Sequence, residues 1–171
     1  MAEQWQQVAT AQVDDGRSNR DLIGAYRRGS LDLRAALTGM SAEELRARPF
    51  AGMMSSLEVV CHLADCEQFL ADRMKRIIGT DRPLLMGVDA TPYLERLRYH
   101  DRNLELQLQL VDVTRQQMAS DLERLEDAAW ERVGIHTETG KVTLRQALLH
   151  SVRHLEYHVE RIAEKRAALD A

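Results

Sequence analysis

The sequence predicts an all-α fold, a four-helix bundle, on three observations. Apolar residues recur every three to four positions over four long segments, capping signals open several of them, and no stretch shows a convincing strand period. A chain of 171 residues suits a single domain over 1–171, large enough to bury a core without disulfide staples. With 44% hydrophobic and 29% charged residues, 9 Gly and only 3 Pro, the composition is that of a globular protein.

Residues 1–16 read as a loosely held arm. Leu22, Ile23, Tyr26, Leu31, Leu33 and Leu37 then mark the first helix, and Gly39 supplies its stop signal. Ser41 begins Ser-Ala-Glu-Glu, a capping box in which the hydroxyl and the glutamate three residues on satisfy each other's backbone N–H groups. The short connector helix it opens must end before Pro49. Ser55 and Glu58 form a second capping signal, starting a long helix that runs to Gly79. The loop 80–92 is long enough to cover one end of a bundle. From Asp101 to Leu125, Leu104, Leu108, Val111, Met118, Leu122 and Leu125 define the third long helix. Residues 127–142, with Gly134 and Gly140, break helical period and read as an irregular connection or short hairpin. Thr143 starts the last helix, whose final turns are basic, as the helix dipole prefers.

Charge and composition exclude several functions. A net charge of -4 with no concentrated basic face gives no reason to bind nucleic acid or anionic lipid. No run approaches the roughly 20 apolar residues that span a bilayer, and the N-terminal segment lacks the basic start and apolar run of a signal peptide, so a cytoplasmic location is expected. Cys61 and Cys66 lie five apart in a helix, pointing about 140° apart, and are expected to be free thiols. No Ser-His-Asp arrangement or Gly-rich phosphate loop is present, so any catalysis has to be metal-centred.

The informative residues are histidines. His150, His154 and His158 succeed one another at i, i+4 along one flank of the last helix. At 100° per residue its apolar stripe centres near Leu148; His158 lies about 80° from that centre, His154 about 120° and His150 about 160°. His158 and His154 can therefore reach the interior, while His150 points mostly to solvent or an interface. His62 flanks the apolar stripe of Val59, Leu63, Leu70 and Ile77 on the second long helix. Two histidines one turn apart and a third from a neighbouring helix can give a divalent ion three nitrogens and leave a position open for water or substrate. Asp65, about 60° from His62, is the candidate for orienting a ligand or taking a proton. Cys66 could join a soft metal but is expected to pack as a small hydrophobe; Glu67, Tyr99 and Tyr157 could line a pocket. His100 and His136 read as surface residues.

Three stretches, RPFAGMMSSLEVVCHLADCE, PYLERLRYHDRNLE and VTLRQALLHSVRHLEYHVERI, resemble the DinB/YfiT-like family of metalloenzymes over about residues 20 to 165. Its first ligand matches His62, and its closing H-x-x-x-H matches His154 and His158. Met54 and Tyr157 stand where members often carry Trp and a further His. The resemblance implies the family's unusual four-helix connectivity, a divalent metal (nickel or zinc) and a homodimer. It also implies a small-molecule substrate and chemistry of the hydrolase or thiol S-transferase type, the latter using a low-molecular-weight thiol. The alternative is a non-catalytic dimeric interaction protein with a structural or vestigial metal.

Overall fold

The computed structural model describes residues 15–170. The expected arm over residues 1–16 lies outside them except for Asp15 and Gly16. Four long helices dominate: α1 (Asn19–Leu37), α3 (Ser56–Gly79), α5 (Leu104–Leu122) and α6 (Leu144–Leu169). Short helices α2 (Ala42–Arg46) and α4 (Tyr93–Arg96) lie in the connections, with 3-10 turns at Tyr99–Asp101 and Asp127–Glu131. Ser41, Ser55 and Thr143 each cap a helix in a complete capping box, as their sequence contexts predict, and Ser18 does the same for α1.

Around the bundle, α1 packs on α5 and α6, and α3 packs on the same two helices. Helices α1 and α3 are therefore diagonal to each other, as are α5 and α6. Two core layers give the directions. One layer gathers Ile23 and Tyr26, Met74 and Ile77, Met118 and Leu122, and Leu144 to Val152; the other gathers Leu33 and Leu37, Val59 to Ala64, Leu108 and Val111, and Leu155 and Ile162. Hence α1 runs parallel to α6, α3 runs parallel to α5, and each pair opposes the other. A third cluster, Leu57, Cys61 and Tyr99, seals the outer side of α3 beneath the α4 region.

Between the two layers lies a buried polar cross-brace. Arg115 of α5, 1% exposed, donates to the Glu67 carboxylate of α3 at 2.8 Å, to the Tyr26 carbonyl of α1 at 2.9 Å and to the Ser151 carbonyl of α6 at 2.9 Å. Tyr26 donates its hydroxyl to Glu67 and lies flat beneath the guanidinium. A Cβ at Gly29 would collide with Arg115 Nη1, so only glycine there lets the cation reach α1.

Two expectations are corrected. Leu31, assigned to the α1 core stripe, is 62% exposed; Ser30 takes the inward place and donates to Asp112 at 2.7 Å. Residues 127–142 do form the short hairpin that was one of two readings, β2 (Val133–His136) antiparallel to β3 (Gly140–Thr143), but the sequence did not announce that β1 (Leu84–Leu85) would pair parallel to β2 and make it a small sheet. Gly134 permits this packing, since a Cβ there would come within 2.6 Å of Leu85. The 80–92 loop is thus partly pinned, with Gly87 N–H donating to Thr137 at 2.8 Å. No helix among the described residues is long and apolar enough to cross a membrane.

Removing one member of a buried ion pair strands the other, so Arg115→Met is expected to lower the unfolding free energy by about 3–5 kcal/mol. Combining it with Glu67→Gln should cost less than the sum of the single changes. Urea titration of the four-member cycle measures this, and strictly additive values would show the pair to be uncoupled.

Candidate metal centre

The antiparallel packing of α3 on α6 sets His62 against His154 and His158. The position of His62 follows from the start of α3, one to two turns earlier. There Ser55 N–H donates to Glu58 at 2.7 Å, and Glu58 N–H donates back to the Ser55 hydroxyl at 3.2 Å. Arg48 closes on the same carboxylate, and His100 Nε2 meets the Ser55 hydroxyl at 2.9 Å. On α6 the i, i+4 spacing stacks His154 and His158 one turn apart.

All three rings are buried: His62 is 7% exposed, His154 5% and His158 2%. One ring nitrogen from each lies within 4.8 Å of the others. The Nε2 atoms of His62 and His154 are 3.3 Å apart. Two metal–nitrogen bonds of about 2.0–2.1 Å at a tetrahedral angle span about 3.3 Å, so this pair fits a zinc-like ion. The rings meet edge to face, with centroids 4.9 to 5.3 Å apart. Burial pushes the His62 pKa down to about 4, against a small opposing pull from Asp65. Burial, followed by the charges of the neighbouring histidines, holds His154 well below its ordinary value. Burial does the same for His158, helped by His62, Lys165 and Arg161. At neutral pH all three imidazoles are therefore uncharged, the form that binds metal.

Among the other candidates, Asp65 is 9% exposed and accepts from the Tyr99 hydroxyl at 2.7 Å and from Arg102 at 2.9 Å. Tyr99 is thereby buried beside α3, while Glu67 turns inward to Arg115. Tyr157 packs its ring 5.2 Å from that of His158. Both cysteines are free. Cys61 is fully buried, whereas half-buried Cys66 lies 3.5 Å from His62 Nε2, outside the group of three convergent donors. Burial pushes both thiols up to about 12.

His150 and His100 depart from expectation. The His150 ring stacks on that of His154 at 6.1 Å, and burial lowers its pKa to about 4. The helical wheel missed this because it ignores what the 133–143 hairpin and α3 place over that flank. His100 braces the α3 start and does not simply face solvent. A separate cleft of about 390 Å³ lies between α1 and α6, lined by Arg17, Arg28, Asp21 and Glu156 among others, and includes none of the three histidines.

Residues 25–162 match the DinB superfamily. The chain belongs to this superfamily. A Bacillus licheniformis relative, described as a "putative metal-dependent hydrolase", is 28% identical over 153 residues, covering 89% of this chain and 87% of its own. The solved structure of YfiT from Bacillus subtilis, described as a probable metal-dependent hydrolase with an unusual four-helix bundle topology, superposes with a TM-score of 0.85. Its identity is 22%, with 92% of each chain covered. A mycothiol-dependent maleylpyruvate isomerase shares the fold at a TM-score of 0.66 and 14% identity, over 84% of this chain and 60% of its own. The DinB-like bundle with its diagonal connections is thus the fold that the sequence predicts, and the three histidines converge within it.

Sequence reasoning gave no role to Arg115 or Arg73, because an arginine on a helix flank carries no mark of what it will meet. Glu58 supplies a test of how the His62 helix is held. Burial pulls its pKa upward, but Arg48, the Ser55 N–H and His100 together outweigh this and hold it below the ordinary glutamate value. A depressed folded pKa contributes stability above the unfolded value of about 4.3 and loses it as pH falls through the folded value. Glu58→Gln is expected to flatten the loss of thermal stability on acidification below about pH 4.3. Melting curves across that range check it, and an unchanged acid limb would deny Glu58 the role.

Proposed function

We propose that this DinB-superfamily protein is a metal-dependent enzyme of the hydrolase or thiol S-transferase type, acting on a small-molecule substrate. The observation that carries the reading is the convergence of three neutral, buried imidazoles from two helices on one point. His62, His154 and His158 would each offer one ring nitrogen to a single nickel or zinc ion. Three protein donors suit a catalytic site with an open position, whereas closed structural sites use four. When bound, such an ion lowers the pKa of water or a low-molecular-weight thiol and polarises the electrophile.

The chain's own residues set the conditions. Burial keeps the histidines unprotonated, so their lone pairs remain available at neutral pH. Leu63, Leu155 and Ile162, neighbours of these histidines along α3 and α6, belong to the apolar layer of the core. Asp65 takes a positioning role in this reading, because Tyr99 and Arg102 occupy its two oxygens and tie α3 to the segment before α5. Thiol use draws support from the mycothiol-dependent structure that shares the fold, and hydrolysis from the descriptions of the other two relatives. The reading extends to a homodimer on the family resemblance alone.

Elemental analysis of the purified protein beside His154→Ala tests the proposal. About one nickel or zinc per chain is expected in the parent, with at least a ten-fold loss of affinity in the variant, in line with the removal of one of three ligands. Circular dichroism of both samples shows whether the bundle is intact. Folded parent protein that takes up no metal after reconstitution would overturn the reading.

A further inference from the structure

Arg73 lies on the α3 face that carries His62, Cys66 and Phe69, at spacings of four, seven and eleven from His62. At about 1.5 Å per residue its Cα is roughly 16 Å along the axis from that of His62. Helical side chains lean toward the N-terminus, which brings the guanidinium back toward Cys66 and leaves a gap of roughly 10 Å to the histidine cluster. His150, stacked on His154, and His136 of β2 both feel the Arg73 charge. Cys66, Phe69, Arg73, His136 and His150 are all half-buried, so each of them keeps some contact with solvent.

Arg73, like Arg132 and Arg166, meets a backbone carbonyl and no carboxylate, but it alone of the three lies on the face of α3 that carries His62. Arg48, Arg102 and Arg115, by contrast, reach the buried carboxylates of Glu58, Asp65 and Glu67. Arg73 donates to the Met86 carbonyl at 2.6 Å, and the described residues place no carboxylate within salt-bridge distance of it. Glu138 of the hairpin is the acid that comes nearest to filling the role. Its side chain is folded over Gly87, where even a Cβ would collide with it, and it stays out of ion-pair range. Burial disfavours the cation, and the more distant charges of Glu138 and Asp72 offset only part of this. An arginine presents a planar fork of donors that suits a carboxylate.

We propose that Arg73 recognises the carboxylate of a ligand whose other end sits at His62, His154 and His158. The substrate or its thiol is then an elongated acid, with about 10 Å between its reacting end and its carboxylate. This deepens the metal-enzyme reading and rests on it only for what holds the near end. Hairpin residue Glu138 competes for the same cation, so ligands with a second negative charge near the carboxylate are disfavoured.

The test follows the ring resonances of His136 and His150 by NMR in histidine-labelled protein. In metal-free protein, hexanoate is expected to shift both saturably, hexanol to leave them unmoved, and Arg73→Gln to abolish the response while the helical content stays that of the parent. In cobalt-loaded protein, 6-mercaptohexanoate should bind about ten-fold more tightly than 6-mercaptohexanol, with the preference mostly lost in Arg73→Gln and partly kept in Arg73→Lys. Glu138→Gln should tighten the acid further. Resonances that ignore hexanoate, or that respond equally in Arg73→Gln, overturn the assignment whether or not cobalt binds. Failure of cobalt to bind at all counts against the metal reading alone, and the hexanoate response then still decides for or against Arg73.

Discussion

The ion pair of Glu67 and Arg115 sits where all four long helices meet, and the rest of the bundle is arranged around its needs. A guanidinium buried to 1% exposure is tolerable only when its donors are met, and here they are met by α1, α3 and α6 together. Each contact also fixes a helix axially. The Ser151 carbonyl lies one turn before His154, and Glu67 lies five residues after His62, so the brace that satisfies Arg115 also sets the height at which the two halves of the histidine cluster face each other. An apolar layer at this level would pack the helices but would define their sliding register less sharply. The diagonal arrangement adds to this, because α1 and α3 touch the same two partners and not each other in any extended way.

The three histidines pose the complementary problem. They are polar groups placed in an apolar layer beside Leu63 and Leu155. Desolvation keeps them neutral, which avoids a buried charge and leaves lone pairs directed at one another. A site built in this way is poised for a cation and unfavourable for protons, which compete for the same nitrogens.

Much of this could be read from the sequence. The capping signals at Ser41 and Ser55, and the helix start assigned to Thr143, fall where the structure caps α2, α3 and α6, because a cap is a local hydrogen-bond pattern. The convergence of His62 with His154 and His158 was legible for a different reason. Both helices present strong apolar stripes, and a stripe fixes orientation even when the partner helix is unknown. Leu31 failed because α1 buries Ser30 and exposes a leucine, an inversion that only the Asp112 partner explains. The hairpin at 133–143 was legible from its glycines, but β1 was missed because it is two residues long and pairs across fifty positions, Leu84 with Ile135. Glu67 was no more than a residue that could line a pocket, because nothing local told of Arg115, forty-eight positions away.

The same distance has a consequence for how the protein is made. His62 and His154 are separated by 92 positions, and both the α1-to-α3 and the α5-to-α6 connections cross the bundle diagonally. Closing so long a loop is entropically expensive, and contacts of this kind form late. While the chain emerges, His62 has no companions until the final helix docks, so the cluster cannot sequester an ion from the cell before the fold is complete. Any cation the three histidines take up would therefore report on assembly: a chain that stalls short of the last helix has no such cluster to offer, and one that has it has already brought the last helix against α3.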